Sequence, residues 1–327
     1  MINLDTAKFC IWGYKNVNAQ QEYRTFSHIF AAFYRALEAM GKKVIWLDGQ
    51  DNLADIDFSN TFFISMDEVV VREAKRLPRR QDCFYAVHNG DQRVRNALGD
   101  LDLLSYGVHV RTRASLDPRV PEPQPLTTRV DLAPDTPFFP ESNVVTFFWA
   151  SDLLPQEIEK NKPSQVFNKN SQVVNWVASV WQGAEGQFRE FERACHESGI
   201  RTEWYGYGRR GVVSIEEHAR LIRDSYIAPA LVSQDQYNVG YLPCRIFKNI
   251  SYGQYGVTNS EFVNDVFDGR LICNRDSRQL FYDAREKLPN VLLTDLHSLM
   301  DYVAQNHTFL NRVDALLKAA RLVLENK

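Results

Sequence analysis

The stretch NVGYLPCRIFKNISYGQYGVTNS, Asn238–Ser260, joins a cation to the start of a short helix and ends that helix on a glycine before a small polar strand end. Pro243 suits a helical first turn, where its missing N–H costs nothing. Ile246, Phe247, Ile250 and Ser251 recur at helical spacing as a narrow apolar stripe. Gly253 can take the left-handed conformation that closes a helix. Arg245 is thereby placed in the first turn, where its guanidinium adds to exposed N–H groups and to the positive end of the helix dipole. Such a position favours a diphosphate. An ordinary surface helix with a solvated arginine is the plainer alternative for the same residues.

Upstream, Arg201–Tyr207 (RTEWYGY) predicts a strand, and Gly206 and Gly208 a turn that carries Arg209 and Arg210. Ser214 reads as an N-cap, with Glu217 completing a capping box. A helix through Arg223, a short apolar strand over Ile227–Val232 and a loop over Gln234–Tyr241 lead into the opening stretch. Strand, helix, strand, loop, helix and strand in succession predict a parallel sheet with helices outside it. Ligands in such sheets sit at the carboxyl ends of the strands.

The runs ESGIRTEWYGYG (197–208), SIEEHARLIRDSYIAPALV (214–232), GYLPCRIFKNISYGQYGVTNS (240–260) and VFDGRLICNRDSRQLFYDA (266–284) together resemble the donor-nucleotide half of GT-B glycosyltransferases of bacterial or viral type. The pattern is related to fucosyltransferase-like and glycosyltransferase group 1 enzymes. Cys244 and Arg245 occupy the Glu-Lys places of that pattern. Arginine can replace lysine as a phosphate partner, whereas cysteine cannot replace a carboxylate that binds a sugar hydroxyl.

The resemblance implies an α/β fold of two Rossmann-like domains with parallel sheets facing a central cleft, and a nucleotide sugar (UDP, GDP or dTDP) bound by the second domain. It makes Ser179, at the end of a strand at Val173–Val180, and Gly183, in the loop after it, candidates for close approach to the donor or members of a plain turn, and Tyr205 of the Tyr-Gly pair a further candidate. Lys248, three residues after Arg245, could hold the second phosphate or be a solvated helix lysine. Arg209 is a further cation for the leaving group. Thr258, Asn259 and Ser260 could read ribose or pyrophosphate, or cap the next helix. Asn238, with Asp235, Gln236 and Tyr237, lies in the preceding loop, where these residues could bind sugar hydroxyls or simply be the polar residues of a surface loop.

The first half repeats the alternation. Strands are expected at Lys8–Trp12, Lys43–Leu47, Thr61–Ser65, Cys83–Val87, Gly107–Arg113 and Asn143–Phe148. Helices are expected at Tyr23–Met40, with Phe26, Ile29, Phe30, Phe33 and Leu37 on one face, and at Asp67–Leu77. The Pro-rich stretch Pro118–Pro140 reads as a surface excursion. A polar, Pro- and Asn-interrupted segment at Leu154–Asn170 sets the expected division: an acceptor-side domain over 1–160, a donor domain over 161–305, and a terminal helix over 306–327 that crosses back.

Inverting transfer needs a general base near the acceptor hydroxyl. His88, in HNGD after the Cys83–Val87 strand, is the first candidate and Asp91 the second; Glu22 and His28 rank behind them. A retaining mechanism would need no such base. The one Asp-x-Asp triplet considered, Asp100 and Asp102, lies in an amphipathic segment where exposed carboxylates are expected, so metal-independent activity without a cofactor is expected.

A length of 327 residues suits about two domains. A net charge of -3 gives no electrostatic argument for nucleic acid, so none is expected as a partner; a glycan or other hydroxyl acceptor is. Five cysteines without short paired spacing suggest neither a disulfide framework nor a zinc site, and a reducing cytoplasm is the expected location. No segment reaches membrane-spanning length, which leaves peripheral contact for any membrane-linked acceptor. A hexosyl- or deoxyhexosyl-transferase is thus the leading expectation. A nucleotide-dependent oxidoreductase is disfavoured because GYKNVN, not G-x-G-x-x-G, follows the first strand. A non-catalytic glycan-binding protein with a transferase fold is the third.

Overall fold

Four of the five residues in KFCIW are buried, so the segment forms β1 (Lys8–Trp12) in the interior of a sheet covered on both faces. The computed structural model of the chain describes residues 1–15, 25–107, 128–134, 136–166, 170–178, 184–206, 209–211, 213–238 and 240–326. By its contacts the chain divides into one unit of Met1–Phe148 with Phe309–Lys327 and a second of Trp149–Thr308. The bounds expected at 160/161 and 305/306 thus fall at 148/149 and 308/309. The first differs because the helix at Pro155–Lys160 buries Ile158 in the second unit.

In the first unit β1 is followed by α1 (Thr25–Ala39), β2 (Val44–Leu47), β3 (Thr61–Met66), α2 (Asp67–Arg72), β4 (Phe84–His88), α3 (Gln92–Leu98), β5 (Asp102–Gly107), β6 (Val130–Ala133), β7 (Thr136–Phe139) and β8 (Val144–Thr146). They make one eight-stranded sheet in the order β2-β1-β3-β4-β5-β8-β7-β6, parallel as far as β8 and antiparallel beyond it. The strand order reverses between β1 and β3. On α1 the residues Ile29, Phe30, Phe33 and Leu37 are buried as their spacing predicts.

Gly13, directly after β1, has φ of +114°, and a Cβ there would lie 2.9 Å from a Val69 methyl on α2. A glycine is therefore required at this tight exit even without a dinucleotide-type motif.

Two expectations are corrected here. The strand expected at Gly107–Arg113 falls, beyond Gly107, outside the described residues, while β5 at Asp102–Gly107 was not among the strands expected. Its Leu103, Leu104, Ser105 and Tyr106 are all buried, so no alternation marked it as a strand. The Pro-rich stretch is no mere excursion, because β6 and β7 within it complete the sheet and Phe138 is fully buried. The helix after β3 also stops early, at Arg72.

The second unit contains α4 (Pro155–Lys160), β9 (Val173–Val177), α5 (Ala184–Glu197), β10 (Arg201–Tyr205), α6 (Ile215–Arg223), β11 (Pro229–Ala230), α7 (Gln234–Asn238), α8 (Arg245–Ser251), β12 (Val257–Thr258), α9 (Glu261–Asp265), β13 (Ile272–Cys273), α10 (Ser277–Lys287) and α11 (Leu293–Asn306). β10 pairs with β9, and β11, β12 and β13 pair in that order, all parallel. Tyr226 N donates to Val173 O at 2.6 Å and Asn175 N to Ser225 Oγ at 2.9 Å, which lays the entry to β11 alongside β9. β10–β9 and β11–β12–β13 are thus two hydrogen-bonded sets joined at the entry to β11, and in the succession β10, β9, β11, β12, β13 the chain order reverses between β9 and β11, as the first sheet does between β1 and β3. The last helix, α12 (Phe309–Glu325), packs on α1 in the first unit, where the Phe33 and Phe309 rings meet edge to face at 4.8 Å. Both units are α/β with parallel strands and helices.

Candidate functional site

In open parallel sheets ligands bind at the carboxyl ends of strands where the order reverses. In the second unit that place follows Val177 of β9 and Ala230 of β11. Trp176, the penultimate residue of β9, is almost fully buried, and its Nε1 has no hydrogen-bond partner among the described residues. The Arg245 guanidinium lies over this ring, its carbon 4.1 Å from the ring centroid. Arg245 is half-buried, and among the described residues no carboxylate or hydrogen-bond acceptor pairs with it. Burial pushes its pKa down, against the opposing influence of Cys244 and Tyr241. A guanidinium held against an aromatic face, with no acceptor for its N–H donors among the described residues, has the chemistry to take an anion.

The helix under Arg245 is fixed at both ends. Gly253, with φ of +97°, donates to Ile250 O at 2.9 Å while Gln254 N donates to Asn249 O at 3.0 Å, the paired bonds of a Schellman closure. Asn249 Nδ2 donates to Ala228 O at 2.8 Å and so ties α8 to the entry of β11. Lys248 does not reach a ligand position: its Nζ pairs with Asp152 at 2.8 Å, and Asp152 also accepts from the Tyr252 hydroxyl at 2.7 Å. Burial pushes the Asp152 carboxyl up, but Lys248, His218 and the Tyr252 hydroxyl outweigh it and hold it at about 2. The expected second phosphate cation is therefore spent on a buried ion pair.

Thr258, Asn259 and Ser260 are fully buried. Thr258 Oγ1 donates to Ala230 O at 2.9 Å, and Asn259 bridges Val232 through Oδ1 to its N–H (2.8 Å) and Nδ2 to its carbonyl (3.0 Å). These two side chains lock β12 to β11. Ser260 is the N-cap position of α9 without a side-chain cap bond, and its Oγ has no partner among the described residues. Asn238 is exposed at the end of α7, accepting from Gln234 Nε2 at 2.7 Å. Gln234–Asn238 is thus helical where a loop was expected, since Gln236 and Ser233 cap one another's N–H groups.

Tyr205 donates to Glu203 at 2.8 Å. Arg209 lies over the Trp204 ring at 4.5 Å and pairs with Glu185 at 3.4 Å. Ser179 and Gly183 lie outside the described residues. Of the expected donor-binding residues, Arg245 alone joins the carboxyl edge with an unspent charge. Trp176 was hidden in VVNWVASV, which reads only as a buried strand.

In the first unit His88 ends β4, 5 % exposed, with Nδ1 3.1 Å from Tyr106 O. A carbonyl only accepts, so in this contact Nδ1 carries a proton. Asp91 is the N-cap of α3: its Oδ1 accepts from Arg93 N at 2.9 Å and Val94 N at 3.2 Å, and its Oδ2 pairs with Arg93 Nε at 2.7 Å. Those bonds account for Asp91 as a structural residue. No helix among the described residues is long and apolar enough to cross a membrane.

No protein-family model and no curated protein sequence matches the chain. Solved structures do. An α,α-trehalose 6-phosphate synthase from Burkholderia multivorans aligns over 98% of this chain and 99% of its own, with a TM-score of 0.55 at 11% identity. The DNA-modifying enzyme β-glucosyltransferase, solved with and without uridine diphosphoglucose, aligns over 98% of both chains with a TM-score of 0.51 at 12% identity. An α-glucosyltransferase in complex with UDP-glucose and DNA containing an abasic site aligns over 93% of this chain and 94% of its own, with a TM-score of 0.51 at 10% identity. The fold is that of the GT-B glycosyltransferases.

Proposed function

We propose that the protein is a glycosyltransferase that moves a hexosyl or deoxyhexosyl group from a nucleotide diphosphate sugar to a hydroxyl acceptor. The observation that carries this reading is the unpaired Arg245 guanidinium over Trp176 at the carboxyl edge of a parallel sheet. The fold shared with UDP-sugar enzymes supports it.

In the reaction the acceptor oxygen bonds to the anomeric carbon as the bond from that carbon to the terminal phosphate oxygen breaks. The electron pair leaves on the diphosphate, whose developing charge Arg245 stabilises. The acceptor proton passes to a general base, for which His88, at the end of β4, is the candidate. We propose this chemistry as independent of a divalent metal, with chelator leaving the rate unchanged.

His88→Ala should lower transfer by about 10²- to 10⁴-fold while donor affinity stays within twofold, read by release of nucleoside diphosphate and by titration of the donor. An unchanged rate would remove the base and favour transfer with retention. Two of the structural neighbours are described as DNA-modifying or DNA-bound, so the expectation of no nucleic-acid partner is not carried forward. Transfer of labelled sugar to glycans and to duplex DNA, measured side by side, identifies the acceptor class; no transfer to any hydroxyl, with the donor bound, would leave a non-catalytic binding protein.

A further inference from the structure

At the carboxyl ends of the second unit's strands the cations divide into two kinds. Arg209 is matched by Glu185, Arg210 by Glu203 and Lys248 by Asp152. Arg245 and Arg275 have no carboxylate partner among the described residues.

Arg275 follows β13 by two residues but reaches back over its neighbours. Its Nη1 donates to Asn259 O after β12 at 3.4 Å, and its Nη2 donates to Gln234 Oε1 in α7 at 2.6 Å. The guanidinium lies over the Tyr237 ring at 4.0 Å, and that ring packs against Phe262 at 5.1 Å. All these contacts are to neutral groups. They orient the side chain and leave its charge uncompensated.

Arg275 therefore sits above the ends of β11 and β12, whereas Arg245 covers Trp176 on β9; Asn259, whose carbonyl Arg275 bonds, also donates from Nδ2 to Gln187 Oε1 at 3.3 Å, and Phe188 packs on the Trp176 ring at 4.3 Å. Both guanidinium groups are thereby tied, through Asn259 and Trp176, to consecutive residues of α5, Gln187 and Phe188. Two such uncompensated cations suit the two phosphoryl groups of a diphosphate. We propose that Arg275 is the second cation of the diphosphate site, holding one phosphoryl group while Arg245 holds the other. The inference rests on the nucleotide diphosphate donor proposed above, and it gives Arg275 the role that the sequence assigned to Lys248.

The test is calorimetric titration of the full chain with UDP, GDP and dTDP, each beside its monophosphate. Arg275→Gln keeps an amide N–H for Gln234 and the Asn259 carbonyl but removes the charge. It should weaken the diphosphate about tenfold or more, as Arg275→Ala does, while the monophosphate is weakened by only one of Arg275→Gln and Arg245→Ala. Diphosphate affinity unchanged in Arg275→Gln, or lost in Arg275→Ala and restored by Gln, would make Arg275 a strap for α7 and overturn the proposal with the donor reading intact. A monophosphate weakened equally by both would overturn the division of phosphoryl groups. No nucleoside diphosphate bound by the unaltered protein would overturn the donor reading itself.

Discussion

Arg245→Ala should weaken nucleoside diphosphate binding by about 1.5 to 3 kcal/mol, the range for hydrogen bonds to a charged group. Lysine at this position should recover part of the loss, because it restores the charge without the planar fork. The unliganded protein should melt no lower than before. Its guanidinium is half-buried without an anionic partner and burial depresses its pKa, so removing it relieves the folded state of an uncompensated charge. Titration of the three proteins beside their melting curves separates the two effects. A fall in both affinity and melting temperature would mark Arg245 as a structural residue.

Asp152→Ala should destabilise the protein by about 3 to 5 kcal/mol, since it leaves Lys248 buried without its partner. The double variant Asp152→Asn with Lys248→Met should recover most of that loss, because neither charge then remains to be compensated. The pair also fixes a pH window. The folded Asp152 carboxyl lies at about 2, below the unfolded value near 3.9, so its contribution is complete above roughly pH 4 and is lost as pH falls toward 2. Lys248 is raised by Asp152 against the opposing effect of burial, so its own contribution disappears only as alkaline pH passes through that raised value. Urea unfolding at pH 3, at pH 7 and in alkaline solution measures both. Equal stability of Asp152→Ala and the unaltered protein at pH 7 would contradict the account of this pair.

Periodicity and punctuation carried much of the fold. Gly41 and Gly253 close their helices with φ of +69° and +97°, and Ser214 caps α6 by accepting from Glu217 N. Glu217 does not complete the capping box, because its carboxylate is taken by Arg220. Buried strands were less legible. In β5 every central residue faces the interior, so the alternation that marks a half-buried strand is missing. In β7 the proline of TPFF argued for a loop, yet Pro137 sits opposite Asp131 in an antiparallel pair near the sheet edge.

The site was legible only where local rules determine it. Arg245 could be placed in a first turn by Pro243 and the apolar stripe behind it. Which cations keep an unspent charge depends on partners far away in sequence: Lys248 meets Asp152 from 96 positions upstream, a separation no local pattern encodes. Arg275 lies 41 positions beyond Gln234 and passed unnoticed in CNRDSRQL for the same reason. Asp91 looked like a base because it follows His88 in one loop, whereas a carboxylate just before a helix is more simply a cap.

The most direct test of the central claim is the melting midpoint of the unaltered protein with UDP, GDP, dTDP, CMP and NAD. Only a ligand that binds the folded state raises it, by about 2.7 kcal/mol of stability at a hundredfold excess over Kd. The account predicts a rise with at least one nucleoside diphosphate and none with NAD. A rise with NAD and with no nucleoside diphosphate would contradict it.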